Sequence, residues 1–121
     1  GKRPRSSMSP TIVLKDGLPN LVIGSPGGSR IIGYVVQAIV AHIDWGMDVQ
    51  AAVSIPHAVN RVGIFDLEKN TSLENMIEPL EALGYRVKLL ALNSGLHAIS
   101  IAKDGLAGGA DPRREGIALG S

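Results

Sequence analysis

Leu21-Val22-Ile23-Gly24-Ser25-Pro26-Gly27-Gly28-Ser29-Arg30-Ile31-Ile32 decides how this chain is read, because it carries a short apolar run straight into a long helical one. Upstream, Thr11-Ile12-Val13-Leu14-Lys15 is a second branched apolar run, and the turn-rich Asp16-Gly17-Leu18-Pro19-Asn20 between the two has hairpin length. The pair is predicted to run antiparallel in a covered sheet. Downstream, Ile31, Ile32, Val35, Val36, Ile39, Val40 and Ile43 recur at helical spacing and predict a helix buried over a wide face, ended by Gly46. At the corner itself, the amides of Gly27 and Gly28 can be aimed outward beside the positive end of the helix dipole, where they stabilise an anion. Paired glycines also admit positive φ and close approach of a ligand, as an oxyanion hole or a phosphate nest requires. A plain strand-to-helix turn uses the same residues. The corner is not a P-loop, since no Lys-Ser or Lys-Thr follows, and it lacks the spacing of a dinucleotide fingerprint.

Asp48 is placed to cap a second, shorter helix running through Val53, and Pro56 breaks that pattern. Arg61-Val62-Gly63-Ile64-Phe65 reads as a strand, and Thr71-Ser72-Leu73-Glu74 as a capping box before a helix bearing Leu73, Met76, Ile77, Leu80 and Leu83. Pro79 lies inside that helix and predicts either a kink or a start near Glu78, while Gly84 stops it. Tyr85-Arg86-Val87-Lys88-Leu89 and Ala98-Ile99-Ser100-Ile101-Ala102 read as strands, with a turn at Asp104-Gly105 before Leu106 to Ala110. Hairpins beside helices predict an α+β layered sheet with mostly antiparallel strands rather than a βαβ wind.

Composition narrows the classes of function. The 121 residues suffice for one core, a chain of this size burying roughly two-thirds of the surface it exposes unfolded. Twelve Lys and Arg against eleven Asp and Glu leave a net charge of +1, without the basic stripe of a nucleic-acid binder. Cysteine is absent, which excludes disulfides, thiolate metal sites and a thiol nucleophile. The longest apolar stretch, Ile31 to Ile43, is broken by Gly33, Gln37 and His42 and is shorter than the ~20 residues of a membrane span. Gly1-Lys2-Arg3-Pro4 has no apolar run behind it and is not a signal peptide.

Ser6, Ser7 and Ser9 precede the first strand, where hydroxyls and amides can bind a carboxylate or simply form a solvated turn. His42, His57 and His97 fall in three separate elements with no partner at metal-ligand spacing. Arg113-Arg114 after Asp111-Pro112 reads as a solvated turn within reach of an anion, and Met8, Met47 and Met76 read as packing.

Four stretches then carry a resemblance: Ser6-Ser7-Met8-Ser9-Pro10-Thr11-Ile12-Val13, Gly24-Ser25-Pro26-Gly27-Gly28-Ser29-Arg30-Ile31, Gly46-Met47-Asp48-Val49 and Gly108-Gly109-Ala110-Asp111-Pro112-Arg113. In that order and spacing they resemble the C-terminal two-thirds of the small subunit of γ-glutamyltranspeptidase, over nearly the whole chain. The resemblance implies the αββα layering of an N-terminal-nucleophile hydrolase, present over 1–121 as a single partial domain. It implies a precursor that cuts itself to make a threonine the first residue of the small subunit. That threonine attacks a γ-glutamyl amide such as glutathione, its own amine serving as base, and the acyl group passes to water, an amino acid or a peptide. No cofactor and no metal enter this chemistry. By resemblance, Gly27 and Gly28 donate their amides to the oxyanion, and Ser6 and Ser7 hold the α-carboxylate of the glutamyl group.

The same resemblance sets out what the chain lacks. Its threonines are Thr11, in a predicted strand, and Thr71, at a helix cap, whereas the family's nucleophile is expected several tens of residues upstream of Gly1. The ligands for the α-amino group are expected upstream too, and an arginine that helps grip the carboxylate belongs to the large subunit. At Ile55-Pro56-His57-Ala58 the family more often has an arginine after the proline. The implied partners are therefore the large subunit and the upstream part of the small subunit, and the implied compartment is periplasmic or extracellular if the source is bacterial. This stretch alone is expected to be inactive. Two rival readings are a cephalosporin or glutaryl acylase of the same fold, and a non-catalytic module that binds an anion at the Pro-Gly-Gly corner.

Overall fold

In the computed structural model, which describes residues 1–4 and 6–120, the elements run β1 (Thr11–Lys15), β2 (Leu18–Gly24), α1 (Ile31–Ile43), α2 (Val49–Ser54), β3 (Ala58–Asn60), β4 (Ile64–Glu68), α3 (Ile77–Ala82), β5 (Arg86–Leu90), β6 (His97–Ala102) and β7 (Gly105–Ala110). They divide into one unit of Gly1–Ser54 with Ser94–Ser121 and another of Ile55–Asn93.

The first unit is built on an antiparallel sheet of order β1-β2-β6-β7. Lys15 pairs with Leu18, so the predicted five-residue connection tightens to Asp16 and Gly17 alone. Both have positive φ, 52° and 80°, the two-residue hairpin turn that Asp-Gly favours because its twist matches that of the strands. Leu18, Pro19 and Asn20 join β2 instead, and the register shifts between Val13 and Leu14; such an irregularity accommodates a proline that has no ladder donor.

Leu21, Ile23 and Ala98 point inward to a core completed by Ile31, Tyr34, Val35, Ala38 and Ala41 of α1 and by Val49, Ala52 and Val53 of α2. Asp48 caps α2 as expected, its Oδ1 accepting from the Ala51 amide at 2.9 Å. Against β7, α2 sits so close that a Cβ on Gly109 would lie 2.8 Å from the Val49 carbonyl oxygen. Gln50 seals the contact: its amide nitrogen donates to Ala110 O at 2.9 Å and its Oε1 accepts from Ala110 N at 3.0 Å.

The buried face of α1 is narrower than its pattern predicts. Ile32, Val36 and Ile43 on the far side are exposed, because the unit has a single sheet and α1 can turn only one side toward it. The sheet is likewise apolar on both faces: Ile12, Val22 and Ile99 lie across from one another in the ladder and are 62%, 38% and 46% exposed.

The second unit has the order β3-β4-β5. The strand predicted over Arg61 to Phe65 is in fact a hairpin turn followed by β4. Arg61 N donates to Ile64 O at 2.7 Å, with Val62 and Gly63 both at positive φ, 53° and 81°. β4 and β5 then pair parallel across the α3 crossover, a βαβ connection where an antiparallel arrangement was expected; the other ladders are antiparallel. Thr71 caps a 3-10 turn over Ser72–Met76, its Oγ1 accepting from Leu73 N, while Glu74 Oε1 accepts from Asn70 N at 2.6 Å. The α-helix itself starts at Ile77, so Pro79 falls in the first turn, where a missing amide costs nothing. Gly84, at φ 87°, closes it with Tyr85 N–H donating to Leu80 O and Gly84 N–H to Glu81 O.

Val62 is a β-branched residue in left-handed backbone, and its side chain is 99% exposed. That conformation costs roughly 1–2 kcal/mol, which asparagine largely avoids. Val62→Asn is therefore expected to stabilise the chain by about 1 kcal/mol, read as a higher urea midpoint at unchanged slope; a lower midpoint would disprove the turn assignment.

Candidate functional site

Antiparallel pairing gathers four chain segments at one end of the first unit's sheet. Thr11 pairs with Ile23, so the residues entering β1 and those leaving β2 emerge side by side. Gly24 pairs with His97, and His97 with Ala110, which adds the residues entering β6 and those leaving β7. Both anion-friendly loops of the sequence thus lie at this end: Ser6 to Pro10 before β1, and Ser25 to Arg30 after β2.

Gly27 and Gly28 are held differently. Gly27 has φ 138°, and a Cβ there would stand 2.7 Å from Cε2 of the buried Tyr34 ring. No side chain fits. Gly28 has φ 61° but no atom within 4 Å of its would-be Cβ, so it faces open space. Gly28–Arg30 forms a 3-10 turn in which Arg30 N–H donates to Gly27 O at 3.3 Å, and α1 follows at once. Neither the turn nor α1 has a side-chain cap or an acidic residue in its first turn. The positive end of the helix is left to the backbone, a geometry that can stabilise an anion.

The serine loop is stitched by its own hydroxyls. Ser6 Oγ accepts from Met8 N at 3.3 Å, Ser9 Oγ donates to Ser7 O at 3.1 Å and Thr11 Oγ1 donates to Ser9 O at 3.0 Å. Ser6 is exposed and Ser7 half-buried; Arg5 between them and the terminus lies outside the described residues. A cavity of about 1030 Å³ opens beside this end of the sheet, lined among others by Pro10, Gly24, His97, Ile99, Gly108 and Leu119. Residues 117–120 form one wall, close enough that a Cβ on Gly108 would meet Ala118 Cβ at 2.7 Å, and just before them a Cβ on Gly116 would meet His97 Nε2 at 2.9 Å.

Two of the three histidines are tied to neighbouring groups. His42 Nδ1 bonds to Met47 O at 2.7 Å and its Nε2 to Ser100 Oγ at 3.1 Å, and His97 Nδ1 bonds to Gly95 O at 3.1 Å. His57, in the second unit, is fully buried. Among the described residues no three His, Asp or Glu side chains gather as metal ligands, and no helix is long and apolar enough to cross a membrane.

What the sequence reading missed lies behind the glycine loop. Asp111, read there as part of a solvated turn, is 1% exposed. Its Oδ2 accepts from the Ser94 hydroxyl and from Leu96 N at 3.0 Å, and its Oδ1 from Arg113 N at 2.9 Å and an Arg113 guanidinium nitrogen at 3.0 Å. Arg114 Nε donates to Ser94 O at 2.6 Å. Burial by itself raises the Asp111 pKa, but these hydrogen bonds outweigh it and hold the carboxyl below its ordinary value. An aspartate just past a strand and before a proline was the available signal, since its carboxylate can bond amides two residues on.

The sequence profile of the family described as Gamma-glutamyltranspeptidase matches residues 1–121. The glutathione hydrolase proenzyme of Escherichia coli (strain K12) is 45% identical over 115 residues, covering 93% of this chain and 20% of the relative. That of Bacillus subtilis (strain 168) is 37% identical over 123 residues, 98% of this chain and 21% of the relative. An acylase ACY 1 proenzyme of Pseudomonas sp. (strain SE83) is 36% identical over 111 residues, 91% of this chain and 20% of the relative. Among solved structures, a Helicobacter pylori γ-glutamyltranspeptidase mutant superposes with a TM-score of 0.84 at 39% identity, over 93% of this chain and 64% of that one. The chain spans about a fifth of the length of the curated relatives it matches. Its α+β architecture with mostly antiparallel strands is that of the N-terminal-nucleophile hydrolases, present as a partial domain.

The Asp111 cluster makes a pH prediction. Its pKa is lower in the folded than in the unfolded chain, so its stabilisation is complete above the unfolded value of about 4 and is lost as pH falls through the folded one. Asp111→Asn is expected to lower the unfolding midpoint at pH 7 and to flatten its fall as pH drops below about 4; parallel acid limbs for the two chains would refute this.

Proposed function

The chain belongs to the γ-glutamyltranspeptidase family, and we propose that residues 1–121 are the C-terminal portion of the small subunit of a γ-glutamyl transferase and hydrolase. The observation that carries this reading is the glycine corner at an uncapped helix start, sharing one end of a sheet with the serine loop. On this reading Gly27 and Gly28 donate their amides to the oxyanion, and Ser6 and Ser7 bind the α-carboxylate of a γ-glutamyl donor such as glutathione.

The chemistry then follows from where charge develops. A nucleophilic threonine hydroxyl attacks the γ-carbonyl carbon while its own amine takes the proton. The carbonyl oxygen becomes an anion, and two fixed amides beside a helix N-terminus stabilise it without reorganising. Collapse breaks the carbon–nitrogen bond as the threonine ammonium returns its proton to the leaving nitrogen, and leaves an ester to threonine, which water, an amino acid or a peptide then cleaves. The threonines of this chain are engaged elsewhere: Thr11 Oγ1 donates to Ser9 O at 3.0 Å and Thr71 Oγ1 to Glu68 O at 2.7 Å. The nucleophile is accordingly assigned to polypeptide outside 1–121, and this portion is expected to be silent alone. The exposed apolar row of Ile12, Val22 and Ile99 is the face the rest of the molecule covers, supplying the second sheet of the αββα stack from the large subunit and the upstream small subunit.

The match to an acylase proenzyme favours a second reading, hydrolysis of a cephalosporin or glutaryl side chain that lacks the α-amino group. The complete gene product decides between them with γ-glutamyl-p-nitroanilide against glutaryl-p-nitroanilide: preference for the first supports the transpeptidase, preference for the second the acylase, and activity on neither removes both.

Two substitutions in the complete enzyme test the residue roles. Replacing Ser6 and Ser7 together by Ala removes hydrogen bonds to a charged group made equally in ground and transition states, so KM for the γ-glutamyl donor is expected to rise by roughly tenfold or more at near-constant kcat; unchanged kinetics would remove the assignment. Gly28→Val forces a β-branched residue into positive φ at an open position and is expected to lower kcat by about a hundredfold in folded, processed protein. Full turnover would rule out the oxyanion role.

A further inference from the structure

The loop between β2 and α1 is clamped from two directions. From beneath, the Tyr34 ring occupies the space where a Gly27 side chain would sit. From the side, the Gly95 amide donates to Ser25 Oγ at 3.2 Å, and the same hydroxyl donates to Pro26 O at 2.7 Å. Gly95 is buried and has no room for a Cβ, which would meet Pro26 Cγ at 2.8 Å and Arg114 Cδ at 2.7 Å. The Pro26 ring and the Arg114 side chain thus fill the space on the side of Gly95 where a Cβ would stand. Gly95 is also fixed from behind, because the flanking Ser94 hydroxyl and Leu96 amide donate to the buried Asp111 carboxylate and Arg114 donates to Ser94 O.

Backbone donors to an oxyanion work only if they already point at the place where charge appears. Glycines have no side chains with which to hold that direction, and a misplacement of one ångström costs about a hundredfold in rate. Direction must come from neighbours. We propose that Ser25 is a positioning residue for the Gly27 and Gly28 amides, tying them through Gly95 to the Asp111 anchor some 15 residues further along the chain from Leu96. This rests on reading those glycines as the oxyanion donors. Ser25 touches no substrate in the proposal; it fixes the angle of the loop that does.

The test uses the complete, processed enzyme, with rates normalised to the amount of small subunit formed, and compares Ser25→Ala, Ser25→Thr and Gly28→Val. Ser25→Ala is expected to lower kcat on γ-glutamyl-p-nitroanilide by roughly tenfold to a hundredfold with KM unchanged. It is expected to weaken, by the same factor, inhibition by a boronic acid analogue of the glutamyl donor, which becomes a tetrahedral anion on the nucleophile hydroxyl. Inhibition by free glutamate stays constant, and Ser25→Thr, which keeps the hydroxyl, restores kcat. Wild-type kcat in Ser25→Ala beside an impaired Gly28→Val overturns the clamp and leaves the oxyanion reading standing. A fully active Gly28→Val overturns that reading and the clamp with it. Equal weakening of glutamate and boronate by Ser25→Ala reduces Ser25 to general loop stability and also overturns the proposal.

Discussion

Hydrogen bonding of β2 to β1 on one side and to β6 on the other is the constraint from which the site follows. Ile23 pairs with Thr11 and with Ala98, and because strand side chains alternate, a slip of one residue would turn Leu21 and Ile23 out of the core and Val22 into it. The same slip would move Gly24 off His97 and carry the glycine corner away from the segment that clamps it. Register, core and the geometry of the glycine corner are thus one quantity. The tight Asp16-Gly17 turn pins it at the far end of the sheet, and the Tyr34 ring under Gly27 pins it at the near end.

Local chemistry was legible in the residues; chemistry between distant residues was not. The α1 span, the Asp48 and Thr71 caps, the Gly84 stop and the hairpin of β1 and β2 all depend on neighbours within a few positions, and all are present. The parallel pairing of β4 with β5 depends on a crossover whose direction no short window encodes. Over Arg61 to Phe65, branched residues read as strand because nothing local forbids it, yet Val62 accepts a strained turn so that β3 and β4 can pair. Asp111 illustrates the limit most sharply: beside two arginines it reads as solvated, and only the fold brings Ser94 and Leu96 to its carboxylate.

The apolar pattern of α1 also had two meanings that sequence could not separate. Seven branched positions in thirteen read as deep burial, and of these Ile31 and Val35 are buried, together with Tyr34, Ala38 and Ala41. Ile32, Val36 and Ile43 are not. One aliphatic pattern thus serves both a buried side and an exposed apolar side of the same helix, and the period alone does not tell them apart.

The carboxamide of Gln50 has a consequence beyond packing. By donating to Ala110 O and accepting from Ala110 N, it pairs with a backbone position much as another strand would, at the outermost strand of the sheet. On the opposite border, β1 is interrupted by its register shift and preceded by Pro10. Both rims of the sheet are thereby blunted against strand addition, while its open face stays oily. Association of a surface so arranged is directed away from strand addition along the hydrogen-bonding direction and toward contact through the open apolar face.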